Sequence, residues 1–136
     1  MQHMPRFAAL VDADPDGMSI MSTYKYGSKA HAHDNGKLNT RSLQWLGVRM
    51  ADLVEDADPE GDGVFQKLSA RDRKKAVAIL KNSPVLADQG PELAWRIGLQ
   101  RMLMLNVKGE IEAMYEARGG VEAWIERGIN ALRFED

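Results

Sequence analysis

Apolar positions in this chain follow two rhythms, short unbroken runs and helical spacing. Phe7-Ala8-Ala9-Leu10-Val11 is an unbroken run that stops at Asp12-Ala13-Asp14-Pro15-Asp16-Gly17. A short run ending in a turn signal predicts a strand covered on both faces, as in a parallel sheet. Pro15 suits the first turn of a helix and Asp14 its N-cap. Met18, Ile20, Met21 and Tyr24 give that helix an apolar side. Tyr26 to Arg41 is polar and rich in Gly, Asn and Lys, and reads as a loop. Leu43 to Val48 predicts a second buried strand.

Arg49 to Lys67, with its acidic stretch Glu55 to Asp62, reads as a long loop. Ser69-Ala70-Arg71-Asp72 matches a capping box with Asp in place of Glu. It predicts a helix to about Asn82 that buries Ala76, Val77, Ile79 and Leu80 and ends before Pro84. Gly90-Pro91 opens a helix to about Val107, and its segment Met102 to Leu105 is apolar all round, so deep packing is expected. A short helix from Glu110 to Arg118 stops at Gly119-Gly120. The last helix carries Val121, Trp124, Ile125, Ile129 and Leu132 on one stripe. Trp45, Trp95 and Trp124 all sit in apolar patterns and are assigned to the core, because base-stacking aromatics need an exposed platform. The fold class is α/β with helix dominant, yet two parallel strands are a poor sheet by themselves.

The 136 residues fit one domain, and 44% hydrophobic with 28% charged residues is an ordinary globular composition. The absence of cysteine removes disulfides and thiolate metal sites and favours a reducing compartment. No apolar run approaches the roughly 18 residues of a membrane span, and Met1 to Arg6 lacks the apolar stretch of a signal peptide. The formal net charge is -2. Independent nucleic-acid binders are usually basic, so a DNA contact here is local or shared with other segments.

The strongest chemical signal is Asp12-Ala13-Asp14 after an apolar strand. Alternate strand positions project the same way, and open α/β sheets bind ligands at the carboxyl ends of their strands. Two adjacent carboxylates call for a proton or a cation between them. Magnesium suits such a site, since it takes hard oxygen ligands and keeps waters for phosphate. The plainer reading is a helix cap at Asp14 and a solvated strand end at Asp12. An EF-hand is excluded, because the twelfth position from Asp12 is Thr23 where a bidentate Glu is required. The echo Asp56-Ala57-Asp58 fails the same test at Lys67. His31 and His33 share a face only if extended, and read as a surface loop. Lys25 and Lys29 follow the Asp pair closely and are candidate phosphate contacts, against two solvated lysines. Arg71, Arg73, Lys74 and Lys75 read as a solvated basic face, though cations at a helix start oppose its dipole and so favour an anionic partner.

Leu10-Val11-Asp12-Ala13-Asp14-Pro15-Asp16-Gly17 closely resembles the Asp-x-Asp segment of the topoisomerase VI A-subunit family. The resemblance continues through Tyr24-Lys25-Tyr26-Gly27-Ser28, Ala32-His33-Asp34-Asn35, Trp45-Leu46-Gly47-Val48 and Leu68-Ser69-Ala70-Arg71-Asp72-Arg73-Lys74-Lys75-Ala76. It extends through Trp95 to Glu112, which includes Leu99-Gln100-Arg101-Met102-Leu103 and Lys108-Gly109-Glu110-Ile111-Glu112. It spans nearly the whole chain in order, and it favours the meiotic double-strand-break branch over archaeal or plant topoisomerase VI subunits.

The resemblance implies part of a Toprim domain, a Rossmann-like parallel sheet with flanking helices, followed by a helical C-terminal extension. It implies Asp12 and Asp14 as magnesium ligands, and as partners DNA, a second copy of the protein and a topoisomerase VI B-like ATPase subunit. It also implies a nuclear location. Family members attack DNA with a tyrosine on an upstream winged-helix domain, and a further metal-binding Glu lies on an earlier Toprim strand. Neither is found in these residues, and Tyr24, Tyr26 and Tyr115 stand in other contexts. The expectation is therefore a chain that begins after those elements and does not cleave DNA by itself. Two other readings remain: an A subunit of a resealing type IIB topoisomerase, and a non-catalytic helical interaction module.

Overall fold

The computed structural model describes residues 7–27, 43–55, 65–117 and 119–132. β1 (Ala8–Leu10) pairs in parallel with β2 (Gln44–Gly47), aligning Ala8 with Gln44 and Ala9 with Trp45. The register shifts after Ala9, so that Leu10 faces Gly47. Pairing continues past the strand ends, where Val11 N–H donates to the Gly47 carbonyl at 2.8 Å and Val48 N–H to the Val11 carbonyl at 2.6 Å. The apolar runs thus pair in parallel as their pattern predicts, but β1 is not covered on both faces: Phe7 and Ala8 are exposed and Ala9 to Val11 half-buried.

α1 (Pro15–Tyr26) starts with proline in its first turn and Asp14 as N-cap. It buries Met18 and Met21 in the core and leaves Ile20 and Tyr24 exposed. Residues 28–42, most of the segment read as a loop, lie outside the described residues, as do His31 and His33.

The segment read as a loop from Arg49 begins instead with α2 (Met50–Glu55). Asp52 accepts the Arg49 N–H at 2.8 Å, capping this turn, and Leu53 is buried. Met50, Leu53 and Val54 are too few apolar positions to show a helical period. Residues 56–64, which hold most of the acidic stretch, are outside the described set.

β3 (Gln66–Lys67) and β4 (Val107–Lys108) form a second, antiparallel pair that the pattern did not reveal. Two residues are too few to register an alternation. Between them run α3 (Ala70–Asn82) and α4 (Leu93–Leu105). The capping box at Ser69 is complete, with Asp72 N–H on Ser69 Oγ at 3.0 Å and Ser69 N–H on Asp72 Oδ2 at 2.9 Å. α3 buries Ala76 as expected, but Val77 is exposed, because α3 lies on the surface and turns one narrow edge inward.

α4 buries Trp95, Gly98, Leu99 and Met102. Met104 and Leu105 are 83% and 62% exposed, which corrects the expectation that the whole apolar end would be deeply packed. At 3.6 residues per turn Met104 points away from Met102, whereas Leu105 is the last residue of the helix. A 3-10 helix, Ile111–Glu116, follows β4. α5 (Val121–Ala131) then lays Trp124 over β2, whereas Ile129 is exposed. A Cβ on Gly47 would lie 2.7 Å from the Trp124 ring, so this glycine lets the helix close on the strand. The three tryptophans are buried, and with Met18, Met21, Leu53, Leu86 and Met114 they form one core. No described helix is long and apolar enough to cross a membrane.

Candidate metal site at the end of β1

The carboxyl end of β1 runs directly into the N-terminus of α1. Between them the chain folds sharply, and the Asp14 N–H donates to the Asp12 carbonyl at 3.0 Å. The two carboxylates are therefore held by a turn, not by simple strand alternation. Ala13 between them is fully buried and exchanges both backbone hydrogen bonds with Gly109, at 2.8 and 3.1 Å. Gly17 is what allows the turn to be so tight. A Cβ there would sit 2.3 Å from the Asp12 carbonyl oxygen.

Each carboxylate has one oxygen engaged by a backbone N–H. Asp14 Oδ1 accepts from Gly17 at 2.7 Å, and Asp12 Oδ1 accepts from Ile111 at 2.8 Å. Among the described residues, neither Oδ2 receives a hydrogen bond. Burial is the largest influence on Asp14 and raises its pKa; the Gly17 N–H opposes this, while the charges of Asp12 and Asp16 add to it and Lys108 works against them. At Asp14 the charges of the neighbouring acids thus outweigh that of Lys108.

That excess, with an open oxygen on each acid, fits a divalent ion that takes few protein ligands and keeps several waters. Asp12 and Asp14 are the residues that could hold it. Among the described residues no three of His, Asp and Glu gather in a place fit for a metal. The cap read for Asp14 is present as well, and one carboxylate has oxygens for both tasks.

Around this pair the structure gathers residues that no local pattern marks. Lys108 Nζ bonds Asp72 Oδ2 at 2.7 Å, and Lys75 pairs with Asp16. The basic cluster at the start of α3 therefore lies beside the Asp pair. Arg73 is engaged by the Leu68 carbonyl and Asn106, while Arg71 and Lys74 are exposed. Lys108, Gly109 and Ile111 belong to the Lys108-to-Glu112 segment that carried the resemblance, but nothing in their spacing announces a link to Asp12.

Lys25 is held inside the fold. Its ammonium meets Glu92 at 2.6 Å and lies 5.7 Å from the centre of the Trp95 ring. Tyr26 donates to the same Glu92 oxygen at 2.6 Å, and burial and this carboxylate raise its pKa. Together they tie the end of α1 to the start of α4. Lys29 lies outside the described residues.

Comparison with known proteins agrees with this architecture. The family model for the Toprim domain of the Topoisomerase 6 A-subunit/Spo11 group matches residues 2–122. The chain is 41% identical over 112 residues to meiotic recombination protein SPO11-1 of Oryza sativa subsp. indica, covering 82% of this chain and 28% of that protein. It is 34% identical to meiotic recombination protein SPO11 of Homo sapiens over 82% of this chain and 26% of the relative. It is also 34% identical to the A subunit of DNA topoisomerase 6 from Arabidopsis thaliana, over 78% of this chain and 23% of the relative. The chain thus spans about a quarter of the length of these curated relatives.

Proposed function

The chain belongs to the Toprim-domain family of Spo11 and the topoisomerase 6 A subunit, and from that premise we propose that it is the magnesium-binding portion of a DNA transesterase that makes the double-strand breaks of meiotic recombination. The observation that carries this reading is the turn at the end of β1, where, among the described residues, Asp12 and Asp14 each keep an oxygen open. The meiotic assignment is supported by the SPO11 relatives, one of them 41% identical.

In this reading Asp12 and Asp14 hold Mg2+ and fix its place relative to the DNA backbone. A bound divalent ion offsets negative charge as it develops on the scissile phosphate. None of Tyr24, Tyr26 and Tyr115 is assigned as the attacking tyrosine, so these 136 residues by themselves are expected not to cleave DNA. Exposed Arg71 and Lys74, on the helix whose Lys75 pairs with Asp16, are further candidate phosphate contacts although the net charge is -2. Lys25 and Lys29 are proposed phosphate contacts too. For Lys25 that contact would require its ammonium to leave Glu92, where it is held at 2.6 Å. A second copy, a nuclear location and a topoisomerase VI B-like subunit follow from the same reading.

The test is a magnesium titration followed by calorimetry and thermal melting. The unaltered chain should be stabilised as Mg2+ rises, by about 2.7 kcal/mol at a hundred times Kd. Asp12→Asn with Asp14→Asn should abolish that response. Magnesium binding that survives the double substitution rejects the metal reading and favours an interaction module in which Asp14 is only a cap.

A further inference from the structure

The segment from Val107 to Ile111 reaches the Asp pair by backbone alone. Gly109 pairs with Ala13, and Ile111 N–H holds Asp12. Its own sheet pairing is slight, since β4 meets β3 over two residues and those of β3 are exposed. A stronger tether is the Lys108 side chain. Its ammonium lies on Asp72 Oδ2, the oxygen that also accepts the Ser69 N–H in the capping box of α3. Both side chains are largely covered, at 25% and 14% exposure. A pair so shielded, with its acid already oriented by a helix cap, is better placed to fix geometry than a solvated ion pair.

We propose that Lys108 is a positioning residue for the carboxylate pair, clasped by Asp72 so that Gly109 and Ile111 hold Asp12 in its metal-binding orientation. This rests on the divalent-metal reading above. The route is continuous: the α3 cap fixes Asp72, Asp72 fixes Lys108, and the backbone after Lys108 fixes Ala13 and Asp12. Supports of this kind, which orient a ligating carboxylate through a hydrogen bond, matter nearly as much as the ligands.

A contrary role for Lys108 gives the opposite sign. Were it only a cation screening Asp14, removing it would strengthen divalent-ion binding. Removing an anchor weakens binding. The experiment measures Mn2+ affinity by electron paramagnetic resonance and amide exchange at Ile111, in the unaltered chain, Lys108→Met and Lys108→Arg. Lys108→Met should lose roughly tenfold in Mn2+ affinity, the low end for losing such a support, and Ile111 should exchange faster. Lys108→Arg, which keeps the contact with Asp72, should restore both.

Unchanged exchange at Ile111, or Mn2+ binding that is equal or tighter in Lys108→Met, overturns the proposal. Failure of the unaltered chain to bind Mn2+ instead refutes the metal reading on which it rests. Should Lys108→Met not fold, Asp72→Asn weakens the hold on the ammonium by removing the opposite charge, while its amide oxygen still accepts the Ser69 N–H. It carries the same expectation and the same ways to fail.

Discussion

The backbone N–H of Ile111 donates to Oδ1 of Asp12 across 99 positions of sequence, at 2.8 Å. Asp14 is set by a donor three residues away. The two acids of one motif thus depend on different parts of the fold, one local and one distant. Substitutions can address each separately.

Gly17→Ala places a methyl group 2.3 Å from the Asp12 carbonyl oxygen, so the backbone has to shift. The expected cost is about 1–3 kcal/mol, as for other overpacked sites. Urea unfolding measures it. The Mg2+ response should fall as well, because α1 must withdraw from the end of β1.

Asp14→Asn should hold or raise the melting temperature in metal-free buffer. Asn caps a helix about as well as Asp. Burial raises the Asp14 pKa, so the folded chain takes up this proton more readily than the unfolded chain. Stability from neutral Asp14 is present below the ordinary carboxyl value of about 3.9 and is lost as pH rises through the folded value. At neutral pH the carboxylate is therefore a burden, which Asn removes. A lower melting temperature would count against this account.

The Asp72–Lys108 pair makes the opposite pH prediction. Burial works to raise the Asp72 pKa, but the hydrogen bonds from Lys108 and Ser69 outweigh it and hold the carboxyl below its usual range. Its contribution is present above about pH 3.9 and is lost as pH falls through the folded value. Acid titration of stability should therefore be shallower below about pH 4 in Asp72→Asn than in the unaltered chain.

Ser69→Ala removes the hydroxyl that accepts the Asp72 N–H. A loss of about 1 kcal/mol is expected from the missing cap. Mn2+ affinity should be unchanged, because the backbone N–H at position 69 still holds Asp72 Oδ2 and Asp72 keeps Lys108. Denaturant melts and the resonance titration read the two effects independently.

Met102 and Met104 lie two residues apart on α4 and face opposite ways. Met102 is fully buried and Met104 is 83% exposed. Met102→Ala should cost about 2–5 kcal/mol, while Met104→Lys should change stability by no more than about 0.5 kcal/mol. Equal effects would refute the observed rotation of α4.

Much of the framework was legible because it depends on neighbours in sequence. The run from Phe7 to Val11 announced a strand, but not its cover: Phe7 and Ala8 are exposed and Ala9 to Val11 only half-buried. Asp14-Pro15 and Ser69 with Asp72 carry their capping partners within three residues. α2 was not legible, since six residues give no period. The exposure of Val77, Met104 and Leu105 was also hidden, because apolar character alone does not say which side of a helix meets the core.

From the chain alone came the two parallel strands, the capped helices and the pair of acids placed where a strand gives way to a helix. Each follows from interactions within one turn or one short run of residues. The tertiary structure alone decided which distant backbone holds Asp12 and where Lys108 and Lys75 place their charge. It also decided that Lys25 is spent on Glu92. Such contacts join residues dozens of positions apart, and local periodicity carries no record of them; they exist only once the packing of α1, α3 and α4 brings their ends together.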